Sequence, residues 1–460
     1  MFSHLPTKFH YSLSRGTQHN TTQHPNTNKY YILDDADVGT FWYHPHRHPL
    51  VTRSAYGGAY GMLIVDETVA VEHQRFYPDH LTNFLTQNEI LLQFSSMYNK
   101  KLSNPFRSNK VNGQDSLELF LSPNTHYYFR VSSVVYAESV NYLEFDPPDA
   151  CDVKVVAYDG VYRSEIPGPT SLHKHMMTVS SRADFAVKCT KDADLHFHQG
   201  KPSDGSKMVT IHVAASEESL PVSNSPTIVS LPAMLPSSPY WDPTSETIWK
   251  PRRPYYMPNL SAPTNLVDEY WSVSMDDYFV NGTKGVSVNQ HVWDPDKSIR
   301  TFDLGQLIEY PILLSQTHPY HAHINRMQIV EPGGCGGRYE EGEYFDTIVQ
   351  STDKSGVCTV RTKFFDFAGR IVIHCHRFGH EDQGMMTVST TATTLSLCSW
   401  CHFIISVSLT TFFLCIFVYF SIFNCNVFGL KVDRHFGWSR PRNEGRSCNE
   451  LCCGVVSDRS

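Results

Sequence analysis

Seventeen residues, RIVIHCHRFGHEDQGMM at 370–386, hold three histidines, a cysteine and two methionines. Thiolate, imidazole and thioether groups are ligands that proteins use for copper and other transition metals. Alternate side chains of a β-strand share one face, so His374 and His376 are expected on one side and Cys375 on the other. The spacing therefore predicts two different metal sites joined by one stretch of backbone.

The first predicted site is a blue-copper electron-transfer centre built around Cys375. Such a centre combines a thiolate and two imidazoles with a weak axial methionine. His380 and Met385 follow the cysteine along the chain, and His318 can complete the set from a neighbouring strand. An electron accepted at the thiolate then has only a short through-bond path to the flanking imidazoles.

The second predicted site uses the two histidines that flank Cys375. Two further segments, GTFWYHPHRHP at 39–49 and THPYHAHINRM at 317–327, are also rich in histidine. The residues that they could contribute are His44, His46, His321 and His323. Zinc usually takes four ligands and has no redox use for a thioether, so a zinc site explains the combined pattern poorly.

The composition excludes one class of partner and indicates a fold. With 38 basic and 46 acidic residues the net charge is −8, and no basic face stands out that could neutralise nucleic-acid phosphates. Short runs of β-branched and aromatic residues recur between turn residues, which predicts an all-β chain of antiparallel sandwiches. The clearest strand signals are YGMLIVDE (60–67), EILLQFSS (89–96), HYYFRVSSVVY (126–136), VKVVAYDG (153–160) and RMQIVEP (326–332).

Proline content and the histidine-rich motifs divide the chain into predicted domains. Residues 1–70 are predicted to form a partial first sandwich, 86–215 a second, and 266–392 a third that carries the cysteine. A proline-rich passage at 216–265 has few strand signals. This passage is predicted to link the last two sandwiches.

An uncharged stretch of 21 residues, FIISVSLTTFFLCIFVYFSIF at 403–423, follows the predicted sandwiches. About 20 apolar residues are needed to cross the roughly 30 Å hydrocarbon core of a bilayer, so this stretch could form a transmembrane helix and anchor the chain. Basic residues beginning with Lys431 come after it. The positive-inside rule then predicts a cytoplasmic tail at 424–460 and a main body outside the cell.

Cysteine usage indicates an oxidising compartment. Five cysteines precede residue 390, and the metal pattern reserves Cys375. Pairing the other four with their nearest neighbours in sequence predicts the disulfides Cys151–Cys189 and Cys335–Cys358. Glycosylation triplets, which suggest a glycoprotein, begin at Asn20, Asn259 and Asn281. The chain is therefore expected to be extracellular or on the cell surface.

These motifs resemble those of the multicopper oxidases, the family of laccases, ascorbate oxidase and bacterial copper oxidases. The strongest matches are GTFWYHPHRH, HPYHAHINRMQIV and DFAGRIVIHCHRFGHEDQGMM, with weaker ones in VVAYDG, FVNG and EYFDTIVQ. The resemblance covers about residues 17–392. It implies tandem cupredoxin-like Greek-key sandwiches, with type 1 copper in the last and a trinuclear copper cluster between the first and the last.

The resemblance also implies a role for each ligand. The residues that would hold type 1 copper are His318, Cys375, His380 and Met385. Those that would hold the binuclear type 3 pair are His44, His46, His323, His374 and His376. His321 would bind type 2 copper. His48 is expected to contact a ligand or to lie in a solvated loop, and no role is assigned to Glu381 or Asp382. In the family, single electrons from a reductant enter at type 1 copper and leave along Cys375 to reduce O₂ to water.

One family motif, HWHG, is absent from the chain. It would supply one type 2 and one type 3 ligand, and TQHNTTQHPNTNKYYI resembles the stretch that follows it. The chain also begins without an apolar signal segment, so it is expected to start late within the first sandwich. His19 and His24 are poor substitutes for the lost ligands. The expectation is a chain with type 1 blue absorption but weak oxygen reduction.

Three functions are compatible with these residues. The first is a laccase-type oxidase that removes single electrons from phenols or similar organic reductants. The second is a metallo-oxidase of Fe(II), Cu(I) or Mn(II), which needs carboxylates at the type 1 site. The segment RYEEGEYFD offers Glu340, Glu341 and Glu343. The third is a non-catalytic copper-binding or electron-transfer protein, because the HWHG motif is missing.

Overall fold

Alternating apolar and polar residues organise most of the described chain into β-strands. The computed structural model describes residues 39–65, 89–98, 108–136, 140–164, 171–214, 227–229, 257–261, 267–280, 283–291, 293–314, 318–350, 357–364 and 368–392. Within these ranges the α-helices are two five-residue segments, α1 (Val51–Ala55) and α2 (Phe378–Asp382). The prediction of an all-β fold is confirmed.

The first described strands form a two-stranded antiparallel sheet, β1 (Gly39–Tyr43) and β2 (Gly61–Val65), with α1 between them. β1 runs against a turn that contains Gly160 of the next sandwich. A Cβ atom at Gly39 would collide with the carbonyl oxygen of Gly160, and one at Gly160 would lie 2.8 Å from the Phe41 ring. With φ at +146° and +80°, both positions require glycine.

Two six-stranded sheets form the middle sandwich. One sheet contains β3 (Glu89–Met97), β4 (Ser108–Val111), β6 (His126–Val134), β8 (Cys151–Tyr158), β9 (Val161–Tyr162) and β11 (Arg182–Cys189). The other contains β5 (Leu117–Leu121), β7 (Asn141–Asp146), β10 (Lys174–Met177), β12 (Ala193–His198), β13 (Lys207–Val213) and β14 (Thr227–Val229). Phe94 and Phe197 stack 4.6 Å apart between the sheets, and burying such a side chain contributes about 1.5–3 kcal/mol.

The third sandwich has a seven-stranded and a five-stranded sheet. The larger sheet contains β15 (Glu269–Tyr270), β16 (Val273–Val280), β17 (Thr283–Val288), β19 (Leu307–Leu314), β21 (Met327–Glu331), β22 (Tyr344–Phe345) and β24 (Cys358–Lys363). The smaller contains β18 (Ser298–Asp303), β20 (Tyr320–Ala322), β23 (Thr347–Ile348), β25 (Gly369–Cys375) and β26 (Met386–Ala392). Its order is β18-β26-β25-β20-β23, so β25 is its central strand.

Most pairs of described strands are antiparallel, as predicted, but the sheets are mixed. β3 pairs with β6 in parallel, as do β5 with β13, β16 with β19, and β18 with β26. A strand alternates its side chains between two faces whichever way its neighbour runs. The period of the sequence therefore locates strands without specifying their relative direction.

Part of the segment predicted as a linker, 216–265, packs onto the sandwiches. β14 lies within it and pairs in parallel with β5. Met257 and Leu260 are buried in a cluster with Val161 of the middle sandwich and with two residues of the third, Leu307 and Tyr344. The described pieces of this segment therefore bind to the sandwiches on either side.

Both predicted disulfides are confirmed. Cys151–Cys189 joins β8 to β11, and Cys335–Cys358 joins the turn after β21 to β24. Cys375 is free and buried. No helix within the described ranges is long and apolar enough to cross a membrane, and the stretches at 403–423 and 424–460 lie outside them. Of the glycosylation triplets, only the exposed Asn259 lies in the part that the structure describes.

Candidate metal centre

The central strand β25 carries His374 and Cys375 between β20 and β26. Its register pairs His374 with His321 and Cys375 with Tyr320. Paired positions on neighbouring strands share a face, so His321 and His374 lie on one side of the sheet. The rings of His374 and His376 are 5.1 Å apart, whereas the Cys375 side chain packs in the hydrophobic core. One backbone thus serves two groups of ligands.

The first group surrounds the Cys375 thiol. Its Sγ atom lies 3.6 Å from Nδ1 of His318 and 4.0 Å from Nδ1 of His380, and the two nitrogens are 2.9 Å apart. The short helix α2 brings His380 back toward the strand. Met385 is fully buried, and its backbone binds both His380 and Cys375. The four residues predicted for type 1 copper therefore come from neighbouring backbone segments.

Burial raises the pKa of the Cys375 thiol to about 12, although a hydrogen bond from the Arg377 backbone acts in the opposite direction. Without a cation this sulfur stays protonated at neutral pH. Soft thiolate and imidazole donors together select copper over hard cations, and binding would displace the thiol proton. The donor set and its buried, preassembled geometry fit a type 1 copper ion.

The second group is a cluster of histidines on the opposite face of β25. The Nε2 atom of His374 lies 3.3 Å from Nε2 of His46 and 3.3 Å from Nε2 of His323. His321 lies with its ring 5.2 Å from that of His374 and 4.9 Å from that of His376. The His44 ring is 5.3 Å from the His376 ring. All six histidines predicted for the cluster are thus brought together.

Hydrogen bonds assign the tautomers of three cluster histidines. Nδ1 of His44 donates to the Pro45 carbonyl at 3.0 Å, and Nδ1 of His374 donates to the Cys375 carbonyl at 3.1 Å. Nδ1 of His321 donates to a backbone carbonyl at 2.8 Å. In a neutral imidazole the other nitrogen then carries a lone pair. The Nε2 atoms of these rings are therefore acceptors, which is the form that binds metal.

Burial is the main cause of low pKa values throughout the cluster. Together with neighbouring imidazoles, it lowers the pKa of His44 to about 3 and that of His46 to about 4. Burial likewise places the pKa values of His323, His374 and His376 well below the usual value. The rings are neutral at pH 7. Neutral imidazole nitrogens that lie 3.3 Å apart and point at one another can share a bound cation, so the geometry fits a metal site.

Comparison with known proteins agrees with these two ligand groups. Residues 253–394 match the multicopper oxidase family. This part of the chain belongs to the multicopper oxidases. The match contains β25 and all the ligands from His318 to Met385. No curated protein matches the chain in sequence.

Solved structures of multicopper oxidases share the fold. A multicopper oxidase from Aquifex aeolicus has a TM-score of 0.56 at 16% identity and covers 79% of this chain and 77% of its own. A laccase from Pediococcus acidilactici has a TM-score of 0.54 at 16% identity, and the match covers 79% of this chain and 72% of the laccase. A metallo-oxidase from Campylobacter jejuni has a TM-score of 0.51 at 16% identity, and the match covers 79% of this chain and 73% of that protein. At these identities the likeness establishes the cupredoxin-like fold alone.

Glu381, to which the sequence assigned no role, is a buried acid beside the histidine cluster. Its Oε1 lies 3.3 Å from Nε2 of His48 and 3.6 Å from Nε2 of His46, and its Oε2 lies 3.4 Å from Nδ1 of His374. None of these contacts has hydrogen-bond geometry. Burial, followed by the charge of Asp382, raises the pKa of Glu381 to about 9. The carboxyl group therefore keeps its proton at pH 7.

His48 links the cluster to the short helices. Its Nε2 lies 3.3 Å from Nδ1 of His46, and its Nδ1 lies 3.5 Å from Asp382. Asp382 accepts the backbone N–H groups of Val51 at 3.0 Å and Thr52 at 2.8 Å, which ties α1 to α2. His48 therefore supports a ligand, one of the two positions expected for it.

Two aromatic rings that the sequence did not indicate as part of the site, Trp42 and Phe378, pack against His44. The Trp42 ring stacks on the His44 ring with centroids 4.2 Å apart and an angle of 17°. Phe378 of α2 lies 5.6 Å from the same ring. Trp42 lies on β1 and His44 directly follows that strand, so the spacing of two residues was available as a signal. The ligands of the missing HWHG motif have no counterpart among the described residues, and His19 and His24 lie outside them.

The carboxylates considered for a metal-ion substrate are bound elsewhere. Glu340 forms an ion pair with Arg163 and accepts a hydrogen bond from Tyr158 at 3.1 Å. Glu343 is buried and accepts hydrogen bonds from the backbone and hydroxyl of Ser164. Both side chains thus join the third sandwich to Tyr158 of β8 or to Arg163 and Ser164, which follow β9. Glu343 is buried, whereas Glu340 and Glu341 are exposed.

Proposed function

We propose that this protein is a copper oxidase that accepts single electrons at Cys375 and delivers them to dioxygen at the histidine cluster. One observation carries the proposal: β25 places Cys375 in one assembled ligand set and His374 and His376 in another. Copper would supply the one-electron redox chemistry at both sites. The chain's part is to hold the donors, exclude water and connect the sites.

The connection between the two sites is short. Cys375 is covalently bonded to both neighbouring histidines, and its carbonyl accepts the Nδ1–H of His374 at 3.1 Å. An electron leaving the sulfur can therefore travel through bonds or across one hydrogen bond. The buried surroundings keep water from both routes.

Reduction of dioxygen to water consumes protons, and Glu381 is placed to provide one. It is protonated at pH 7 and lies within 3.6 Å of two cluster histidines. His48, whose side chain is 19% exposed, lies between Glu381 and solvent. A general acid must hold its proton until the reaction takes it up, and burial keeps the Glu381 carboxyl group protonated.

A phenolic or similar organic reductant is the proposed substrate class. The relatives in fold include both a laccase and a metallo-oxidase, so fold does not choose between them. The contacts of Glu340 and Glu343 favour the organic donor, because both carboxylates already bind residues of the middle sandwich. Oxygen uptake with a phenol should exceed uptake with ferrous iron, and the opposite preference would favour the metallo-oxidase.

Copper counting on the full chain tests the proposal as a whole. We expect blue absorption from a Cys375-bound copper, additional copper at the cluster, and weak oxygen uptake. A blue protein with a single copper and no oxygen uptake would instead be an electron-transfer protein. A copper-loaded chain with no blue band would overturn the proposal.

We also propose an extracellular or cell-surface location. The two disulfides support it, since such bonds form and persist mainly in oxidising compartments. Fractionation of cells that express the full gene, with alkylation of free thiols before lysis, tests it. Reduced Cys151 and Cys335 in the native protein would contradict it.

A further inference from the structure

Asp159 is a fully buried aspartate where the middle and third sandwiches meet. Its Oδ1 accepts hydrogen bonds from the backbone N–H of Arg182 at 2.9 Å and from Nη2 of Arg338 at 2.8 Å. Its Oδ2 accepts the backbone N–H groups of Asp346 at 3.4 Å and Thr347 at 3.3 Å. One side chain of the middle sandwich therefore fixes the start of β23 in the third.

The Arg182 guanidinium joins three parts of the molecule. Its Nε donates to the Thr40 carbonyl of β1 at 3.3 Å, and Nη1 donates to the Ser180 carbonyl at 2.8 Å. Nη1 also donates to Oδ1 of Asp346 at 2.9 Å, and Nη2 donates to Oδ2 of Asp346 and to the Asp159 carbonyl. All five donors of the guanidinium are thus used.

The hydrogen-bond network of Asp159 and Arg182 leads through Asp346 to His321, a member of the histidine cluster. The backbone carbonyl of Asp346 accepts Nδ1–H of His321 at 2.8 Å. The Thr347 hydroxyl donates to the Asp346 carboxylate at 2.9 Å, which turns its lone pairs toward His321 Nδ1, 3.2 Å away. Both acceptors around that N–H therefore depend on the placement of Asp346.

We propose that Asp159, Arg182 and Asp346 are positioning residues that set the orientation and tautomer of His321. The inference rests on the proposed function, in which His321 binds type 2 copper. The middle sandwich contributes none of the predicted ligands. Through Arg182 it binds both β1, which leads to His44, and the segment that orients His321. Its role is to align the two ligand-bearing parts.

The Arg182 guanidinium binds both oxygens of the Asp346 carboxylate, and the Thr347 hydroxyl donates to one of them. Hydrogen bonds between a guanidinium and a carboxylate are charge-assisted. A buried ion pair is weak support for stability, because desolvation offsets its attraction. Positioning explains its presence better.

The Arg163–Glu340 pair is a matched control. It also joins the middle and third sandwiches, and its guanidinium is also buried. None of its hydrogen bonds reaches a predicted ligand. Arg163→Lys and Glu340→Gln therefore perturb the same interface without touching His321, while Arg182→Lys and Asp346→Asn perturb the network.

The first experiment loads the full-length variants with copper and compares optical and electron paramagnetic resonance spectra. We expect Arg182→Lys and Asp346→Asn to lower type 2 copper affinity by about 10–100-fold or to change its hyperfine splitting, as losing a partner of a ligand does. The blue band should be unchanged, and both control variants should resemble the wild type. Equal changes in both pairs, or none in the network pair, would overturn the proposal.

The second experiment uses the metal-free chain, so that it does not depend on copper chemistry. Nitrogen-15 spectra report the imidazole tautomer, and a His321→Gln variant assigns the signal. We expect the Nδ1–H tautomer in the wild type and the controls, and a mixture in Arg182→Lys and Asp346→Asn. An unchanged signal in the network variants contradicts the inference. A wild type without type 2 copper would count against the proposed function, and this measurement would still decide the positioning role.

Discussion

The Cys375 site and the histidine cluster are built in opposite ways from the same strand. The four residues of the Cys375 site all lie between residues 318 and 385, inside one sandwich. In the cluster, His46 and His374 have Nε2 atoms 3.3 Å apart but are separated by 328 residues along the chain. A site made within one sandwich tolerates loosening between sandwiches. A shared site depends on how the sandwiches are aligned.

Replacing Cys375 with serine should have the largest effect and should affect the two sites unequally. The variant loses the thiolate, so the blue band should disappear and reductant-driven oxygen uptake should fall to background. The cluster histidines are untouched, and copper bound there should remain visible by paramagnetic resonance. Copper content and spectra of the same sample check this. A surviving blue band would place the sulfur ligand elsewhere.

His374→Gln should produce the reverse pattern. This residue lies against both His46 and His323, so its loss should weaken cluster copper by more than about 100-fold, since losing even a partner of a ligand costs 10–100-fold. The blue band should persist, because the Cys375 side chain faces the other way. Equal loss of both signals would show that the two sites are not separable. His212→Gln, in the middle sandwich, is a control for histidine removal.

Glu381→Gln should change the pH dependence of stability in the metal-free chain. The pKa of Glu381 is about 9 in the folded chain and 4.5 ordinarily. Below pH 4.5 the carboxyl group is therefore protonated in both the folded and the unfolded chain, and its titration does not change the free energy of unfolding. As the pH rises toward 9 the unfolded carboxyl ionises while the folded one cannot. The wild type should therefore lose on the order of 1 kcal/mol per pH unit relative to the variant. Urea titrations at several pH values, with the exposed Asp115→Asn as control, measure the difference.

Met385→Leu should have the smallest effect, confined to the Cys375 site. A thioether stabilises Cu(II), so its removal should raise the reduction potential, by about 60 mV for each tenfold change in relative affinity. Cluster copper should be unchanged. Redox titration of the blue band measures the shift. A fall in potential would mean that Met385 is not the axial ligand.

Sequence reasoning succeeded where the signal is local. The alternation of HCH follows from strand geometry, and His374, Cys375 and His376 take up the expected faces. The disulfide Cys151–Cys189 joins neighbouring strands whose cysteines are paired in register. The first signal lies within three consecutive residues, and the second is a pairing of nearest neighbours among the cysteines.

It failed where the signal is a contact between distant segments. Nothing near Asp159 in sequence indicates that its carboxylate binds the backbone of Asp346, 187 residues away. The burial that raises the pKa of Glu381 likewise brings its carboxyl group against His46 and His48, which follow β1 and are more than 300 residues away in sequence. The contact of Glu340 with Arg163 is of the same kind. Burial and pairing of this sort become visible only once the sandwiches are assembled.

The close packing of Gly39 against Gly160 also determines where His44 lies. The strand that starts at Gly39 reaches His44 only five residues later, so its distance from the middle sandwich is transmitted to that imidazole. A Cβ atom at Gly39 would lie 2.2 Å from the Gly160 carbonyl oxygen, and one at Gly160 would lie 2.8 Å from the Phe41 ring, so a methyl group at either glycine would push the two backbones apart. The position of the predicted ligand His44 therefore depends on the absence of side chains at Gly39 and Gly160.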